Sequence, residues 1–164
     1  MGSHNYTTIG LARYVNTIAN SGNWYNLTLV DYIGDSDGNI VKDYSPEIRN
    51  KIDIPAEEWD AIKYGMKLVV DKTSAFDKFP ITVAGKTGTA QTSQSRTNHA
   101  LFVGFAPYEN PEISLAVRIA YGYTSANAAS LASDVFKYYF DLDDKANLIT
   151  GIADVNENLE VIDD

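Results

Sequence analysis

The chain has 164 residues, 45% of them hydrophobic and 21% charged, the length and makeup of one globular domain with a real core, which excludes disorder throughout. No run of about 18 apolar residues offers a membrane span, and no basic stretch followed by an apolar one offers a visible leader. With 22 acids against 13 bases the net charge is −9, so a polyanion such as DNA is repelled and a nucleic-acid partner is excluded.

The acid is unevenly placed. From Asp141 onward stand eight acids and one base, Lys145, so residues 141–164 form an acidic tail and the rest is nearly neutral. Cysteine is absent. That removes disulfides, a thiolate nucleophile and a Cys-ligated zinc, and leaves the redox compartment open. No cofactor or metal is expected. Met1-Gly2-Ser3-His4 resembles a vector remnant.

The first predicted element is a helix from about Thr8 to Asn20, with Leu11, Tyr14, Val15 and Ile18 on one stripe and Thr7 as N-cap. A hairpin follows: Leu27 to Ile33 alternates, Asp37-Gly38 turns, and Ile40 to Tyr44 returns. A second helix is predicted from about Pro55 to Asp71, burying Trp59, Ile62, Met66 and Val69. Then come strands at Ile81 to about Gln91, Ala100 to Ala106 and Ile113 to Tyr121, with a polar segment from Thr92 to Asn98 between the first two. A helix from about Ser125 to Phe140 closes the series, with Ala128, Leu131, Val135 and Tyr138 on one face. Beyond it Leu148, Ile149, Ile152, Val155, Leu159 and Val161 offer apolar groups for packing. Short links between the three strands favour antiparallel pairing, and flanking helices give an α+β fold class.

Several motifs resolve to structure. Gly34-Asp35-Ser36-Asp37-Gly38 spells a nucleophile elbow, but a strand rather than a helix follows, so it reads as a hairpin turn. The same acids make no calcium loop, because Ile33 and Tyr44 stand where carboxylates are required. Gly85-Lys86-Thr87 resembles the end of a phosphate loop, yet Pro80 occupies the first glycine position. The only histidines are His4 and His99, and a strand-edge His99 reads as structural.

Val83-Ala84-Gly85-Lys86-Thr87-Gly88-Thr89-Ala90-Gln91 is different. Lys86 interrupts an apolar run between two glycines, and strand glycines often mark close approach of a ligand or another backbone. Thr87 and Thr89 share one face and Lys86 takes the other. Hydroxyls, an ammonium and accessible N–H groups suit a carboxylate or oxyanion. From the residues alone, a binding strand and a turn-rich edge strand both stand.

Lys86-Thr87-Gly88-Thr89-Ala90 resembles the third active-site motif of the penicillin-binding proteins, the serine D,D-transpeptidases that crosslink peptidoglycan. The likeness runs from about Asn5 to Phe140. Leu11-Ala12-Arg13-Tyr14 to Ile18-Ala19-Asn20-Ser21-Gly22 is similar to the helix before the sheet, and Gly65-Met66 with Val69-Val70 to the next one. His99-Ala100-Leu101-Phe102-Val103-Gly104-Phe105-Ala106-Pro107 is similar to the strand after the motif, and Ala128-Ala129 onward to the closing helix.

The resemblance implies a partial serine β-lactamase/D,D-peptidase fold over residues 5–140. It implies that Lys86 supports the electrostatics of the site, that Thr87, Gly88 and Thr89 bind the carboxylate of substrate or β-lactam, and that the Thr89 N–H is an oxyanion donor. It implies a membrane-anchored, extracytoplasmic parent acting on peptidoglycan stem peptides. The family also needs Ser-x-x-Lys, and no serine here has a lysine three residues later. Ser21-Gly22-Asn23 and Ser125-Ala126-Asn127 spell Ser-x-N, but the first closes a helix and the second follows the motif strand rather than preceding it.

The chain therefore reads as the C-terminal part of a transpeptidase domain, inactive alone, with its nucleophile upstream and its N-terminal part missing. Exposed apolar faces and self-association are expected. A non-catalytic binding or structural module is the alternative, and a hydrolase using Ser36 is a third. The motif strand, residues 86–89 included, is expected inside the sheet, flanked by the first and last helices.

Overall fold

The computed structural model describes residues 6–91 and 95–148. Helix α1 runs Thr8–Ala19, and the Thr7 hydroxyl accepts the Gly10 N–H at 3.1 Å. It ends in a left-handed cap: Gly22 N–H donates to the Thr17 carbonyl and Ser21 N–H to that of Ile18, with Ser21 at φ 57°. Val15, Ile18 and Ala19 are buried, but Tyr14, expected on the same stripe, is exposed.

Two elements escape the sequence pattern. Strand β1, Asn23–Tyr25, pairs antiparallel with β4, Ile48–Lys51. Both are too short and too polar to show an alternation. Between them lies the expected hairpin of β2, Tyr32–Gly34, and β3, Ile40–Asp43. The strand predicted from Leu27 is cut to three residues. Gly38 sits at φ 84°, and the Asp35 carboxylate accepts the N–H groups of Asp37 and Asn39 at 3.0 and 2.8 Å and the Asn39 amide at 3.0 Å. These bonds, the Asn39 side chain first, hold the Asp35 carboxyl below its ordinary value. Ser36 lies exposed in this turn, with no helix behind it, so the hydrolase reading has no elbow.

Helix α2 spans Ala56–Val70, after Pro55 and with Glu57 and Glu58 in its first turn. It buries Trp59, Met66 and Val70, while Ile62 is exposed and Val69 half-buried. A 3-10 turn at Ser74–Phe76 leads to a three-stranded antiparallel sheet: β5, Ala84–Ala90; β6, His99–Ala106; and β7, Ile113–Ile119. The order is β5-β6-β7, so the motif strand is an edge strand, not the inner one expected; β6 is inner. Among the described residues no strand pairs with the outer side of β5.

Helices cover both faces of this sheet. On one, Val15, Ile18 and Ala19 of α1 and Trp59 and Met66 of α2 meet Ala84 and Phe105. On the other, α3, Ser125–Tyr139, lays Ala128, Ala129, Ala132 and Phe136 against Ala100, Phe102 and Ala106. The expected α3 face is overturned. Leu131, Val135 and Tyr138 are exposed, because small side chains let the helix lie close over Phe102 while bulky ones would hold it away. Helix α4, Lys145–Leu148, ends the described chain. The tetrapeptide at residues 1–4, part of the polar segment (residues 92–94) and the apolar groups from Ile149 onward lie outside the described residues.

Candidate active-site strand

The position of β5 is set by its partner. Ala84 lies opposite Phe105, Gly85 opposite Gly104, Lys86 opposite Val103, Thr87 opposite Phe102, Gly88 opposite Leu101 and Thr89 opposite Ala100. Directly opposed residues share a face. Thr87 and Thr89 therefore stand on the α3 side with Phe102 and Ala100, and Lys86 on the α1–α2 side with Val103 and Phe105, as the alternation predicts. Lys86 and Thr89 are exposed, Thr87 and Gly88 half-buried.

The Lys86 ammonium donates to the carbonyl of Thr87 at 2.7 Å and has no acid within ion-pair reach among the described residues. Among the described residues it has no acidic partner, and it stands on an exposed edge strand. Thr87 and Thr89 set two hydroxyls two residues apart on the same strand. Such an array suits an incoming carboxylate.

The two glycines flanking Lys86 have different causes. A Cβ on Gly85 would stand 2.4 Å from the tip of the Phe102 ring and 2.9 Å from the Val103 carbonyl. Gly85 is thus explained by the core, not by a ligand, which corrects the expectation for that position. A Cβ on Gly88 would meet only the Leu101 side chain, Cβ at 3.5 Å and Cδ1 at 3.8 Å, both ordinary contacts. The chain's own packing does not demand glycine at position 88.

His99 is structural, as read. It is buried, its Nδ1 accepts the Tyr121 N–H at 3.0 Å, and its ring lies 4.9 Å from the Tyr121 ring. Neither Ser-x-N triplet enters the site. Ser21 caps α1 and its hydroxyl meets Lys63 Nζ at 3.1 Å. Ser125 begins α3, and Asn127 donates its amide to the Gly122 carbonyl at 2.9 Å. Sequence reasoning passed over Arg96, which donates to the Tyr121 hydroxyl at 2.8 Å, and Arg118, whose Nη2 lies 3.5 Å from His99 Nε2. A base inside the apolar run of β7 was the signal for Arg118.

With this geometry in view, comparison with known proteins is decisive. The profile of the penicillin binding protein transpeptidase domain matches residues 1–140. The chain belongs to this family. It is 31% identical over 162 residues to penicillin-binding protein 2A of Bacillus subtilis, an alignment covering 85% of the chain and 23% of that protein. It is 32% identical over 153 residues to penicillin-binding protein 2B of Streptococcus pneumoniae, covering 82% and 22%. The solved structure of penicillin-binding protein 2B from Streptococcus pneumoniae R6 superposes with a TM-score of 0.74 at 28% identity, over 85% of this chain and 25% of that one. Pseudomonas aeruginosa PBP2 gives 0.71 at 33%, over 88% and 31%.

The fold is that of the penicillin-binding transpeptidase domains, α+β with antiparallel strands, and the alternative of a non-catalytic binding or structural module related to transpeptidases is not favoured. The chain spans less than a quarter of the length of these curated relatives.

The glycine analysis separates packing from function. Gly85→Ala is expected to lower thermal stability by about 2 kcal/mol, the usual cost of overpacking against rigid neighbours. Gly88→Ala is expected to change it by less than about 0.5 kcal/mol. Thermal unfolding of the two variants checks the contrast; an equal loss in both would refute the distinction.

Proposed function

We propose that this chain supplies the Lys86–Thr89 strand of a serine D,D-transpeptidase site that crosslinks peptidoglycan through stem peptides and is acylated by β-lactams. One observation carries the reading: the Lys-Thr-Gly-Thr sequence lies on an open edge strand of a chain belonging to the penicillin-binding transpeptidase family. Relatives agree in their names. One, 36% identical over 99 residues (51% of this chain, 15% of that protein), is the peptidoglycan D,D-transpeptidase MrdA of Acinetobacter baumannii. Penicillin-binding protein A of Mycobacterium tuberculosis, a structural neighbour with a TM-score of 0.78 at 22% identity, is solved as an imipenem acyl-enzyme complex.

In this reading Thr87 and Thr89 hold the ligand carboxylate through their hydroxyls, and Gly88 lets it approach. The Thr89 N–H donates to the oxyanion that develops as the acyl carbon is attacked. Lys86 supplies positive charge near the attacking group and lowers the energy of the anionic transition state. The attacking serine and its lysine come from outside these 164 residues, since no Ser-x-x-Lys occurs within them. Acyl transfer requires that hydroxyl, so the chain alone forms no acyl-enzyme.

The domain so proposed extends over residues 5–140, with 141–164 as an acidic appendage. Its parent is anchored at the outer face of a bacterial membrane; among the described residues no helix is long and apolar enough to cross one. Self-association belongs to the same proposal. Leu29, Val30, Ile33, Ile40 and Val41 are exposed around the β2–β3 hairpin, surface that more of the domain or a second copy would cover.

In a longer chain continuing upstream through Ser-x-x-Lys, fluorescent penicillin is expected to label the protein, and Lys86→Ala to slow labelling by about a hundredfold or more. Unchanged labelling would remove Lys86 from the site. Light scattering of the 164-residue chain at high concentration is expected to give a mass above 18.1 kDa; a monomer at all concentrations would refute self-association.

A further inference from the structure

Both outer edges of the β5-β6-β7 sheet are unpaired among the described residues, and the two are built differently. An unpaired edge presents N–H and C=O groups that a further strand can take up, and proteins guard against this with charges, prolines, bulges or covering segments. β5 carries such a guard, the exposed Lys86. β7 has almost none. Its sequence, Ile-Ser-Leu-Ala-Val-Arg-Ile, holds no lysine, proline or glycine, and it pairs with β6 through seven successive residues without a shift in register. Its one charged residue, Arg118, is its only exposed one; the others are half-buried.

The side chains of β7 sort onto two faces. Ile113, Leu115, Val117 and Ile119 pack on the core under α3, while Ser114, Ala116 and Arg118, opposite Phe105, Val103 and Leu101, take the α1–α2 side. About its centre the strand is self-complementary. When a second copy runs antiparallel beside it with Ala116 opposite Ala116, Ile113 falls opposite Ile119 of the second copy, Leu115 opposite Val117 and Ser114 opposite Arg118. Large apolar groups then meet large ones on the α3 face. On the other face the two arginines stay apart, each opposite a hydroxyl. Net charge permits the approach, because eight acids and one base lie in residues 141–164 and the body that carries β7 is nearly neutral. The β2–β3 hairpin also exposes apolar side chains, but its strands have three and four residues and its turn carries Asp35 and Asp37, so it offers a second copy fewer backbone partners.

We propose that the outer edge of β7 is where this chain pairs with a second copy of itself, β7 against β7, antiparallel and centred on Ala116. The two-fold axis stands perpendicular to the sheet there, so the two sheets become one continuous sheet with α3 of both copies on the same face. The inference rests on the self-association proposed above and names the surface that makes it. It leaves the outer edge of β5, with Lys86, Thr87 and Thr89, free in the dimer.

The test uses the 164-residue chain at high concentration. In an equal mixture of isotope-labelled and unlabelled copies, isotope-filtered NMR is expected to show contacts between copies from Ala116 to Ala116, from Ile113 to Ile119 and from Leu115 to Val117. Ser114→Arg sets a second cation opposite Arg118 of the other copy, twice by symmetry, and is expected to weaken dimerisation about tenfold by sedimentation. Adding Arg118→Glu to that variant makes the opposed charges unlike and is expected to restore the dimer. The two positions stand about 13 Å apart along one strand, so the rescue reports contact between copies. Leu29→Lys on the hairpin is expected to leave the dimer intact. Circular dichroism checks that each variant folds. A chain that stays monomeric overturns the self-association and this inference with it. A dimer without contacts between copies along β7, one that folded Ser114→Arg does not weaken, or one that Leu29→Lys dissociates, overturns this inference alone.

Discussion

The candidate site depends on a close contact in the middle of the sheet. Gly85 and Gly104 stand opposite one another, and the Phe102 ring occupies the space that a side chain on either would fill, 2.4 and 2.7 Å from the would-be Cβ atoms. The ring stacks on Phe76 at 5.5 Å and lies in the core under α3. A side chain at either glycine would push the ring or part the strands. That pairing holds β5 in register with β6, and register decides that Thr87 and Thr89 face one way and Lys86 the other. A slip of one residue would exchange them. The Lys86–Thr89 sequence begins one residue beyond this lock.

Much of this was legible in the sequence, and the misses have physical causes. The Thr7 cap, the Asp35–Gly38 turn and the three strands carry local chemistry that acts before tertiary packing does. The face of α3 was misread because hydrophobic spacing selects large side chains, whereas this helix packs by its small ones. Leu131, Val135 and Tyr138 form a regular stripe, yet Ala128, Ala129 and Ala132 meet the sheet. Pairing of Asn23–Tyr25 with Ile48–Lys51 joins segments far apart in sequence, and neither shows an alternation strong enough to announce it. The edge position of β5 also escaped, because strand order is a property of the assembled sheet.

The site itself was legible as a motif and only partly as chemistry. Both glycines around Lys86 suggested a ligand; the structure assigns Gly85 to the core and sets only an ordinary Leu101 contact against a side chain at Gly88. Arg96 and Arg118 are 22 positions apart, and the contact of Arg96 with the Tyr121 hydroxyl and the place of Arg118 beside His99 exist only once the sheet is assembled. In the function proposed, this strand receives and polarises a ligand without attacking it. On that proposal the binding groups sit on the sheet and the nucleophile is carried elsewhere, a division of labour in which this chain would recognise the ligand without reacting with it.

The most direct measurement is the intact mass of the 164-residue chain after prolonged incubation with excess benzylpenicillin. The account predicts an unchanged mass, because no serine here has the lysine partner that acyl transfer in this family requires. A stoichiometric gain of one penicillin, mapped to any serine of the chain, would contradict it.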